Sequence, residues 1–302
     1  MDEMKFRAHD TFFIRKGWIS KGMRYVDITN GEVFISKTDN PMDVLGIGAN
    51  MVKALRYWLQ AIGITVEPKS GKRIQSFTPF GKLVFEHDKY IEEMGTLYLL
   101  HYQLVKSFSM ATSWYFFFNE FSLSDFTKED FSLQIGNFIK IRDDAANVAS
   151  RSIDDDFTCI INTYVPRYKT MPSRVSAENN IDCPLGELGL VDVLKKERSS
   201  IVYKKVIPSA SSLDPWIILA VIHDNANGRK EIGLNELLTS VNNIGRVFNL
   251  DSITMLDVLR SAEHIGELKI VRTAGLDVIH LLHDYSFEEC VIRYYDEIET
   301  VK

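Results

Sequence analysis

The chain has 302 residues, of which 45% are hydrophobic and 25% charged; these average values for a globular protein argue against disorder and against a fibrous class. At about 100 to 150 residues per domain, this length predicts two or three domains. The formal net charge of −6 at first argues against a polyanionic partner, but the distribution of charge along the chain decides more than its sum.

Segments that could direct the chain to a membrane or out of the cell are too short. The longest apolar runs, WYFFFNEF and WIILAVI, fall far below the roughly 20 residues of a spanning helix, and MDEMKFRAHD lacks the apolar core of a signal peptide. The three cysteines, Cys159, Cys183 and Cys290, are widely separated and lack metal-site spacing. We therefore expect a cytoplasmic protein without membrane contact, with buried and reduced thiols.

Positive charge is concentrated in the first third of the chain. Residues 1–90 carry 14 Lys and Arg against 10 Asp and Glu, a net of +4, whereas residues 91–302 have a net of −10. Between residues 44 and 82, six basic residues accompany a single acidic one, Glu67. This asymmetry indicates a basic unit on an otherwise acidic protein.

The N-terminal run KFRAHDTFFIRKGWISKGMRY interleaves basic and aromatic residues, which suits contact with a DNA backbone but is equally typical of a solvated basic face. His9 and Asp10 are its adjacent acid–base pair. In phosphodiester cleavage His9 can act as general base and Asp10 as a ligand of Mg or Mn, with Arg15 as the third candidate catalytic residue. The structural alternative is that Asp10 caps a turn or pairs with Arg15.

The stretch VLGIGANMVKALRYWLQAIGIT, residues 44–65, is open to two interpretations. A phosphate-binding loop needs a strand directly before its glycines, and its triphosphate form needs Gly-Lys-Ser/Thr where the helix begins. Here Gly48 is followed by Ala49 and Asn50. We therefore favour a tight turn between two helices, the second of which contacts DNA.

That second helix is predicted to begin at Asn50, as its N-cap, and to end at Gly63. Its apolar residues recur at helical spacing, and the opposite face carries side chains suited to phosphates and base edges. The candidate DNA contacts on this face are Asn50, Lys53, Arg56, Tyr57 and Gln60.

Two strand-like runs follow, ITVEP and IQSFTPFGKLVFE, joined by the basic turn KSGKR. Lys69, Lys72 and Arg73 of this turn are candidate contacts with DNA phosphates. Helix, turn, helix and basic hairpin are the order of a winged helix-turn-helix. Residues 1–90 are therefore predicted to form a domain that binds double-stranded DNA.

A fainter copy of this pattern is predicted in residues 91–210. FTKEDFSLQIGNFIKI and SRSIDDDFTCIINTYV are helical, LGELGLVDVLKK is predicted as a further helix and SSIVYKKVIP as a strand. The aromatic segment ending in ATSWYFFFNEF is more typical of a core than of a platform that stacks bases. RYKTMPSRVSAENNIDCPLG is predicted to be a linker.

A third copy is predicted in residues 211–302. Asp214 caps a helix with Pro215 in its first turn, the helices LNELLTSV and SITMLDVLRSAEHIG follow, and ELKIVRTAGLDVIHLL forms a hairpin. This region carries 8 Lys and Arg against 15 Asp and Glu, a net of −7, which favours a protein interface over DNA. The predicted fold class is thus mainly α with small β-wings, in tandem winged helix-turn-helix-like modules.

The densest carboxylate cluster is Asp154, Asp155 and Asp156, with Asp143 and Asp144 nearby in sequence. Acidic residues in the first turn of a helix are stabilised by its dipole, so we interpret this cluster as the start of a helix. A metal site is the alternative.

Four motifs, HDTFFIRKGWISKG, LGIGANMVKALRYW, TPFGKLVFEHDKYIEEMGTLYLLHYQLV and CPLGELGLV, resemble the SspB family of bacterial Ssp DNA phosphorothioation and phage-defence systems. The resemblance extends from about Phe6 to about Asp284 and is most specific near the N-terminus. A Lys often follows the second glycine in that family, where this chain has Ala49, so any role of that Lys is absent or has moved to Lys53.

The resemblance implies a DNA-nicking factor that acts beside a cysteine desulfurase, an ATPase and an adenylating sulfur-transfer enzyme. It assigns no catalytic residue. Our leading hypothesis is a DNA-binding, strand-nicking component of such a system, with Mg or Mn and no organic cofactor, and with a homodimer left open. The alternative is a non-enzymatic winged-helix DNA-binding adaptor or regulator.

Overall fold

A computed structural model of the chain describes residues 3–170, 182–197, 200–273 and 276–301. Helices dominate these residues, and three small antiparallel sheets accompany them. The prediction of a mainly α protein with small β elements is confirmed. Most of the linker predicted over residues 167–186 lies outside the described residues.

The first region, residues 1–90, consists of helices around one short hairpin. Its elements are α1 (Trp18–Ile28), a 3-10 helix (Glu32–Phe34), α2 (Pro41–Leu45), α3 (Ala49–Ala61), β1 (Thr65–Val66), β2 (Ser76–Phe77) and α4 (Pro79–His87). Strands β1 and β2 pair antiparallel, so the basic turn KSGKR lies in the connection between them.

The start of α3 differs from the prediction. Its N-cap is Gly48, whose backbone is extended, and Asn50 lies inside the first helical turn. Gly46 closes α2 with a left-handed backbone at φ 62°. The two glycines of LGIG therefore form a turn between α2 and α3, as expected for a helix-turn-helix, and Asn50 is free of a capping role.

The second predicted strand ends earlier than expected, at Phe77. The hydroxyl of Thr78 accepts a hydrogen bond from the amide of Gly81, and Pro79 occupies the first position of α4, so the run PFGKLVFEH is helical. A Cβ atom at Gly81 would lie 1.9 Å from the carbonyl oxygen of Ile64. The glycine thus permits the close approach of α4 to the start of β1.

The central region, residues 91–210, contains two helices of 15 residues and a sheet of order β3-β5-β4. Its elements are α5 (Met94–Lys106), α6 (Thr112–Tyr115), a π-helix (Phe116–Glu120), β3 (Asp125–Phe126), α7 (Lys128–Arg142), α8 (Ser150–Tyr164), α9 (Arg167–Thr170), a 3-10 helix (Pro184–Leu188), β4 (Val191–Lys196) and β5 (Ile201–Lys205). The helices α7 and α8 are confirmed. The helix predicted over LGELGLVDVLKK is wrong in its second half, because VDVLKK pairs with β5 as a strand.

The C-terminal region, residues 211–302, is organised around a sheet of order β6-β8-β7. After a 3-10 helix (Ala210–Ser212), its elements are α10 (Pro215–Ala226), β6 (Glu231–Gly233), α11 (Leu234–Thr239), α12 (Ile244–Val247), α13 (Ser252–His264), β7 (Leu268–Thr273), β8 (Leu276–Leu281) and α14 (Phe287–Val301). The predicted cap is confirmed, since Asp214 accepts a hydrogen bond from the amide of Trp216 at 2.8 Å. The hairpin of β7 and β8 is confirmed as well.

Helices followed by a hairpin recur in all three regions. The sequence predicts this order for the first and the C-terminal region, whereas the first strand of the central hairpin was predicted as part of a helix. The assignment of these units as winged helices remains a prediction. Among the described helices, none combines the length and the apolar character needed to cross a bilayer.

Aromatic side chains of the central region form much of the core. Those that are almost fully buried include Tyr98, Tyr102, Trp114, Phe117 and Phe118. The interpretation of this segment as core is confirmed, and all three cysteines are buried and unpaired.

The π-helix forms hydrogen bonds with α5, with β5 and with the C-terminal region. Asn119 donates to the carbonyl oxygen of Val105 at 3.0 Å and accepts from the amide of Asn242 at 2.6 Å. The ammonium of Lys205 donates to the carbonyl oxygens of Phe117 and Phe121 at 2.7 and 2.6 Å. Burial lowers the pKa of Lys205 to about 7, and these carbonyl groups compensate part of its desolvation.

Candidate nucleic-acid interface

The single acidic residue between positions 44 and 82, Glu67, is engaged within the first region. Its carboxylate accepts hydrogen bonds from Arg56 at 2.6 and 3.0 Å, from Gln60 at 3.1 Å and from Gln75 at 3.2 Å. The Arg56 and Glu67 side chains are only 25% and 10% exposed. The guanidinium of Arg56 also donates to the carbonyl oxygen of Arg73 at 3.1 Å. Arg56 thus ties α3 to the hairpin turn.

This arrangement changes the role of two predicted DNA contacts. Arg56 and Gln60 are directed to Glu67, so each must exchange a protein partner for DNA before it can read a base. The signal for this was present in the sequence: a lone carboxylate in a basic stretch attracts the nearest basic side chains. Sequence reasoning nevertheless missed Glu67 and Gln75 as organising residues.

The remaining basic side chains of the unit are directed to solvent. We define the basic hairpin surface as Lys53, Lys69, Lys72 and Arg73, all of which are exposed. Lys72 lies 3.9 Å from Glu32, and both side chains are more than half exposed, so this pair is weak. Within the described part of the chain, Lys53, Lys69 and Arg73 have no acidic partner. Asn50 is exposed beside them on α3.

The prediction that Tyr57 faces DNA is wrong. Its side chain is buried, its ring packs against Trp58 with centroids 5.0 Å apart, and its hydroxyl donates to the carbonyl oxygen of Met110 at 2.9 Å. Burial, together with the nearby charge of Asp156, raises the pKa of Tyr57 well above its usual value. Tyr57 therefore anchors α3 to the central region.

The two candidate catalytic residues His9 and Asp10 differ in exposure, since His9 is buried and Asp10 is partly exposed. His9 is 1% exposed, and its Nε2 lies 2.8 Å from Oδ1 of Asp156. The imidazole stacks on Trp58 at 5.9 Å and meets Trp114 edge-on at 5.6 Å. A general base must reach its substrate, and this ring is enclosed by aromatic side chains. The geometry of His9 is that of a structural residue.

Asp156 is the centre of this buried network. Besides His9, its carboxylate accepts from the amide of Arg7 at 2.9 Å and from the hydroxyl of Ser113 at 2.6 Å. The neighbouring Asp155 forms an ion pair with the guanidinium of Arg7 at 2.7 Å. These contacts hold the N-terminal segment on α6 and α8. No local pattern in the sequence indicates a contact between residues that lie 147 positions apart.

The prediction that the acidic triplet 154–156 forms the first turn of a helix is wrong. Helix α8 begins at Ser150, so the triplet lies beyond its first turn, where the helix dipole stabilises little. Its members are stabilised instead by side-chain partners; Asp154, for example, lies 3.1 Å from the ammonium of Lys128.

The loop that carries the predicted catalytic residues has an unusual backbone. Arg7, Asp10 and Thr11 adopt left-handed conformations, with φ of 55°, 50° and 69°. Such conformations are unfavourable for residues with a Cβ atom and persist where surrounding contacts hold them, often at functional sites. Asp10 is partly exposed in this loop. It forms no ion pair with Arg15, so the predicted Asp10–Arg15 contact is absent.

Arg15 packs its guanidinium against two rings. The guanidinium carbon lies 5.6 Å from the centroid of Phe12 and 5.4 Å from that of Trp18. The side chain is partly buried, and burial followed by the charge of Arg167 lowers its pKa.

A metal held entirely by the protein does not fit the described residues. Across residues 3–170, 182–197, 200–273 and 276–301, no three His, Cys, Asp or Glu side chains come together in a way that could hold a metal ion. Mg²⁺ often uses only one or two carboxylates, with water and substrate oxygens as its other ligands. We therefore assign no step to a metal and treat Mg or Mn as a component to be tested.

The sequence matches the family described as protein of unknown function (DUF4007) over residues 6–295, and curated protein sequences give no significant match. Two crystal structures of SspB, one of them magnesium ion-bound, are similar to this chain. Both structures have a TM-score of 0.83 against this chain, and their sequences are 28% and 27% identical to it. Each match covers 99% of this chain and 90% of the SspB chain. The resemblance to the SspB family is thus confirmed over almost the whole chain.

Proposed function

The chain belongs to the DUF4007 family, and from this premise and its likeness to SspB we propose that it is a DNA-binding component of an Ssp-type DNA phosphorothioation and phage-defence system. The observation that carries the proposal is the similarity to SspB across 99% of the chain. Its partners would be double-stranded DNA and the cysteine desulfurase, ATPase and adenylating sulfur-transfer enzyme of the same system, in the cytoplasm.

The charge distribution of the first region supports DNA binding. Glu67 is neutralised by Arg56 inside the region, so the basic hairpin surface keeps its positive charge. Lys and Arg side chains that contact phosphates release condensed counterions, and this release is a large part of the free energy of binding DNA. The acidic C-terminal region would repel DNA, and its net charge of −7 supports the docking of a protein partner there.

The test is a titration of labelled duplex DNA with the protein at several salt concentrations. Fluorescence anisotropy measures the binding constant at each concentration. We expect replacement of Lys69, Lys72 and Arg73 by Ala to weaken binding to every sequence. The slope of log K against log salt should fall by about 0.9 for each phosphate contact that is lost.

The matched control replaces Lys230, Lys269 and Arg272 by Ala. These residues are also exposed, also comprise two Lys and one Arg, and belong to the acidic C-terminal region. Both triple variants change the net charge equally. An equal loss of affinity in both would mean that total charge acts, and would contradict a DNA contact at the basic hairpin surface.

We further propose that the protein nicks one strand of the DNA. The strained loop around Asp10 supports it, because unfavourable backbone conformations are often retained at functional sites. SspB binds a magnesium ion in one of its structures, which makes Mg²⁺ the first ion to test. The candidate catalytic residues are then Asp10 and Arg15, which are accessible, whereas His9 is buried.

The assay follows conversion of supercoiled plasmid to the open circle with Mg²⁺, with Mn²⁺ and with chelator. Asp10→Asn tests the accessible carboxylate, and Asp27→Asn, an exposed residue of α1, is its control. We avoid His9→Ala, because it would remove the imidazole partner of the buried Asp156 carboxylate and open a cavity among the surrounding aromatic rings. Nicking by wild type and Asp27→Asn but not by Asp10→Asn supports the nickase. DNA binding without nicking in any variant favours the non-enzymatic adaptor.

A further inference from the structure

A cavity of about 810 Å³ opens between the N-terminal segment and the central region. Its walls include the segment that follows α7 and the side chains of Met4, Phe6, Phe108, Tyr115 and Asn242. The residues of the basic hairpin surface do not line it. Its volume lies within the range of sites that bind small organic ligands. DNA binding by the first region leaves this cavity without a role.

The charges around the cavity balance. Among the described residues, its lining carries two cations, Lys106 and Arg142, and two anions, Glu3 and Asp143. Each cation also has a carboxylate neighbour outside the lining, at 2.7 and 3.4 Å. The field inside is therefore neutral or negative, which favours an uncharged ligand over a phosphate.

The apolar part of the lining is aromatic. Phe6 and Phe108 are half-buried, and Phe108 meets Tyr115 edge-on with ring centroids 5.2 Å apart. The guanidinium carbon of Arg142 lies 5.3 Å from the ring of Phe108 and 5.1 Å from that of Phe138. Nucleobases stack on aromatic rings and on guanidinium planes, and a guanidinium also donates hydrogen bonds to base edges. The lining thus suits an uncharged, planar base.

Asn242 supplies a polar group whose backbone position is fixed. Its amide donates to Oδ1 of Asn119 at 2.6 Å, its carbonyl oxygen accepts from Nδ2 of Asn225 at 3.0 Å, and its φ is 61°. Its side-chain Oδ1 is shielded from solvent and has no hydrogen-bond partner among the residues that the structure describes, which is unfavourable. Rotation of the side-chain amide by 180° exchanges Oδ1 and Nδ2. Asn242 can therefore offer either an acceptor or a donor to a ligand in the cavity.

The cavity adjoins α3, which carries candidate DNA contacts. Tyr57 of α3 donates to the carbonyl oxygen of Met110, two residues after Phe108, and follows the exposed Lys53 by one helical turn, about 6 Å. The ammonium of Lys5 lies 3.8 Å from Sδ of Met110 and 5.8 Å from the centroid of the Tyr57 ring. Lys5 is exposed, and no carboxylate in the described ranges pairs with it. A cation thus lies between the cavity and α3, where it can contact a phosphate outside the neutral interior.

We propose that this cavity binds one unpaired base of the DNA. The ring of Phe108 stacks on the base, and Arg142 and Asn242 form hydrogen bonds with its edge. Lys5 contacts the adjoining phosphate. This inference rests on the proposed function and deepens it, because a base taken out of the duplex belongs to one strand only, and its capture would select the strand on which the protein acts.

The experiment compares three labelled duplexes by fluorescence anisotropy: one fully paired, one with a single bulged adenine and one with an abasic bulge at the same position. Extrusion of a paired base costs free energy, whereas a bulged base is already unpaired. We expect wild type to bind the bulged adenine roughly tenfold more tightly than the abasic bulge. Phe108→Leu keeps an apolar side chain and removes the ring, so it should reduce this preference to about twofold or less. Its unchanged binding to the paired duplex would show that the variant is folded.

The matched control is Phe85→Leu. Phe85 is also half-buried, and it stacks on Phe77 with ring centroids 5.2 Å apart, but it belongs to α4 and does not line the cavity. This variant should keep the wild-type preference for the bulged adenine. An equal loss of the preference in Phe85→Leu and Phe108→Leu would overturn the proposal, and so would the absence of any preference in wild type.

Two further variants test the separate roles of base and phosphate contacts. Arg142→Lys keeps the charge and loses the planar fork, so it should lower the preference for the bulged adenine and leave the salt slope unchanged. Lys5→Gln should lower the salt slope by about one and keep the preference. A loss of the preference in Lys5→Gln with an unchanged slope would contradict this arrangement.

Free deoxyadenosine monophosphate separates the two sources of a base. If it raises the melting temperature of wild type but not of Phe108→Leu, while wild type shows no preference for the bulged adenine, the cavity binds a free nucleotide and the assignment to DNA is overturned. If wild type binds all three duplexes equally and Phe108→Leu does the same, the base site is refuted and the proposed function stands. If wild type binds no DNA at all, the proposed function fails, and with it the selection of a strand by this cavity.

Discussion

The first and C-terminal regions both place helices before a hairpin, yet they use their charged side chains in opposite ways. The first region has a net charge of +4 within residues 1–90, and the C-terminal region a net of −7 within residues 211–302. In the first, the carboxylate of Glu67 is enclosed and the lysines stay outside. In the C-terminal region three exposed arginines lie next to carboxylates, namely Arg229 beside Glu236, Arg260 beside Asp257 and Arg272 beside Asp277. A fourth, Arg293, packs on the rings of Trp216 and Tyr285. Similar orders of elements therefore present fields of opposite sign, and the field indicates the partner more directly than the architecture does.

The two regions also differ in how they are attached to the central region. The N-terminal segment is held by the buried pair of His9 and Asp156. The fully buried contacts of the C-terminal region are made by neutral groups, such as the hydroxyls of Thr96 and Tyr295 at 2.8 Å, whereas its ion pair between Lys106 and Asp224, at 2.7 Å, is partly exposed. Removal of one partner leaves a buried charge in the first case and only an unsatisfied dipole in the second.

The largest expected effect tests this difference in attachment. Asp156→Ala should lower the free energy of unfolding by about 3 to 5 kcal/mol, because His9, Ser113 and the amide of Arg7 lose their common acceptor. Tyr295→Phe, which removes one neutral hydrogen bond, should lower it by about 1 kcal/mol. Urea unfolding followed by circular dichroism measures both.

Asp154→Ala is the control from the same acidic triplet. Its carboxylate is 43% exposed and pairs with Lys128, so the loss should be at most about 1 kcal/mol. If Asp154→Ala and Asp156→Ala lower the free energy of unfolding equally, the buried pair of His9 and Asp156 does not stabilise the N-terminal segment more than an exposed ion pair does.

The next largest effect concerns the neutral attachment of the C-terminal region and depends on pH. His101 donates from Nε2 to the carbonyl oxygen of Val247 and accepts at Nδ1 from the hydroxyl of Tyr164, both at 2.8 Å. Burial lowers the pKa of His101 from 6.5 to about 4. Between these values the unfolded chain binds a proton at this residue and the folded protein does not. Stability is therefore lost as pH falls from 6.5 to 4, by about 1.4 kcal/mol per pH unit and about 3 kcal/mol in total.

The measurement is urea unfolding at several pH values for wild type and His101→Gln. The variant has no titrating group here, so its stability should fall less steeply than that of wild type across the same window. Parallel curves for the two proteins would show that His101 is not held neutral at the contact with α12.

The third prediction compares one ion pair from each region. Glu67→Ala should lower the free energy of unfolding by about 2 kcal/mol, because hydrogen bonds from Arg56 and two glutamines are lost at a site with little exposure. Glu236→Ala should leave stability unchanged within measurement error, since both partners of its pair are substantially exposed.

The same two variants separate the regions in DNA binding. Glu67→Ala releases Arg56 at the basic hairpin surface and should strengthen binding in the anisotropy assay, whereas Glu236→Ala should not. A similar gain in both would mean that only the total charge of the protein matters, and the contrast between the regions would then have no functional meaning.

Local features of the sequence account for the parts of the fold that were predicted. Helix α10 follows from the cap at Asp214 and from Pro215, and the turn before α3 follows from the glycines of LGIG. The strand predicted across Thr78 was wrong because Thr78 caps a helix and Pro79 occupies its first position. The contact of His9 with Asp156 lies beyond local patterns altogether, since only the packed helices bring residues 147 positions apart together.

The face of α3 shows the same limit at the level of a single residue. Helical spacing places Tyr57 next to Arg56 and Lys53, and polar chemistry made all three candidates for DNA. A tyrosine, however, has a large apolar ring and a single hydroxyl, and burial is favourable once that hydroxyl finds a partner. Met110 in the central region supplies it, which no property of α3 alone could indicate.

The smallest expected effect tests this assignment. Tyr57→Phe keeps the ring and removes the hydroxyl that donates to the carbonyl oxygen of Met110, so the free energy of unfolding should fall by about 1 kcal/mol. DNA affinity and its salt dependence should stay at the wild-type value, while Lys53→Ala, one turn away and exposed, should reduce both. A loss of DNA affinity in Tyr57→Phe that matches Lys53→Ala would place the hydroxyl at the DNA and require α3 to rotate on binding. If no such loss occurs, exposure separates two roles in the first region. Side chains that are buried or paired, such as Tyr57 and Arg56, stabilise the fold, and the exposed cations contact DNA.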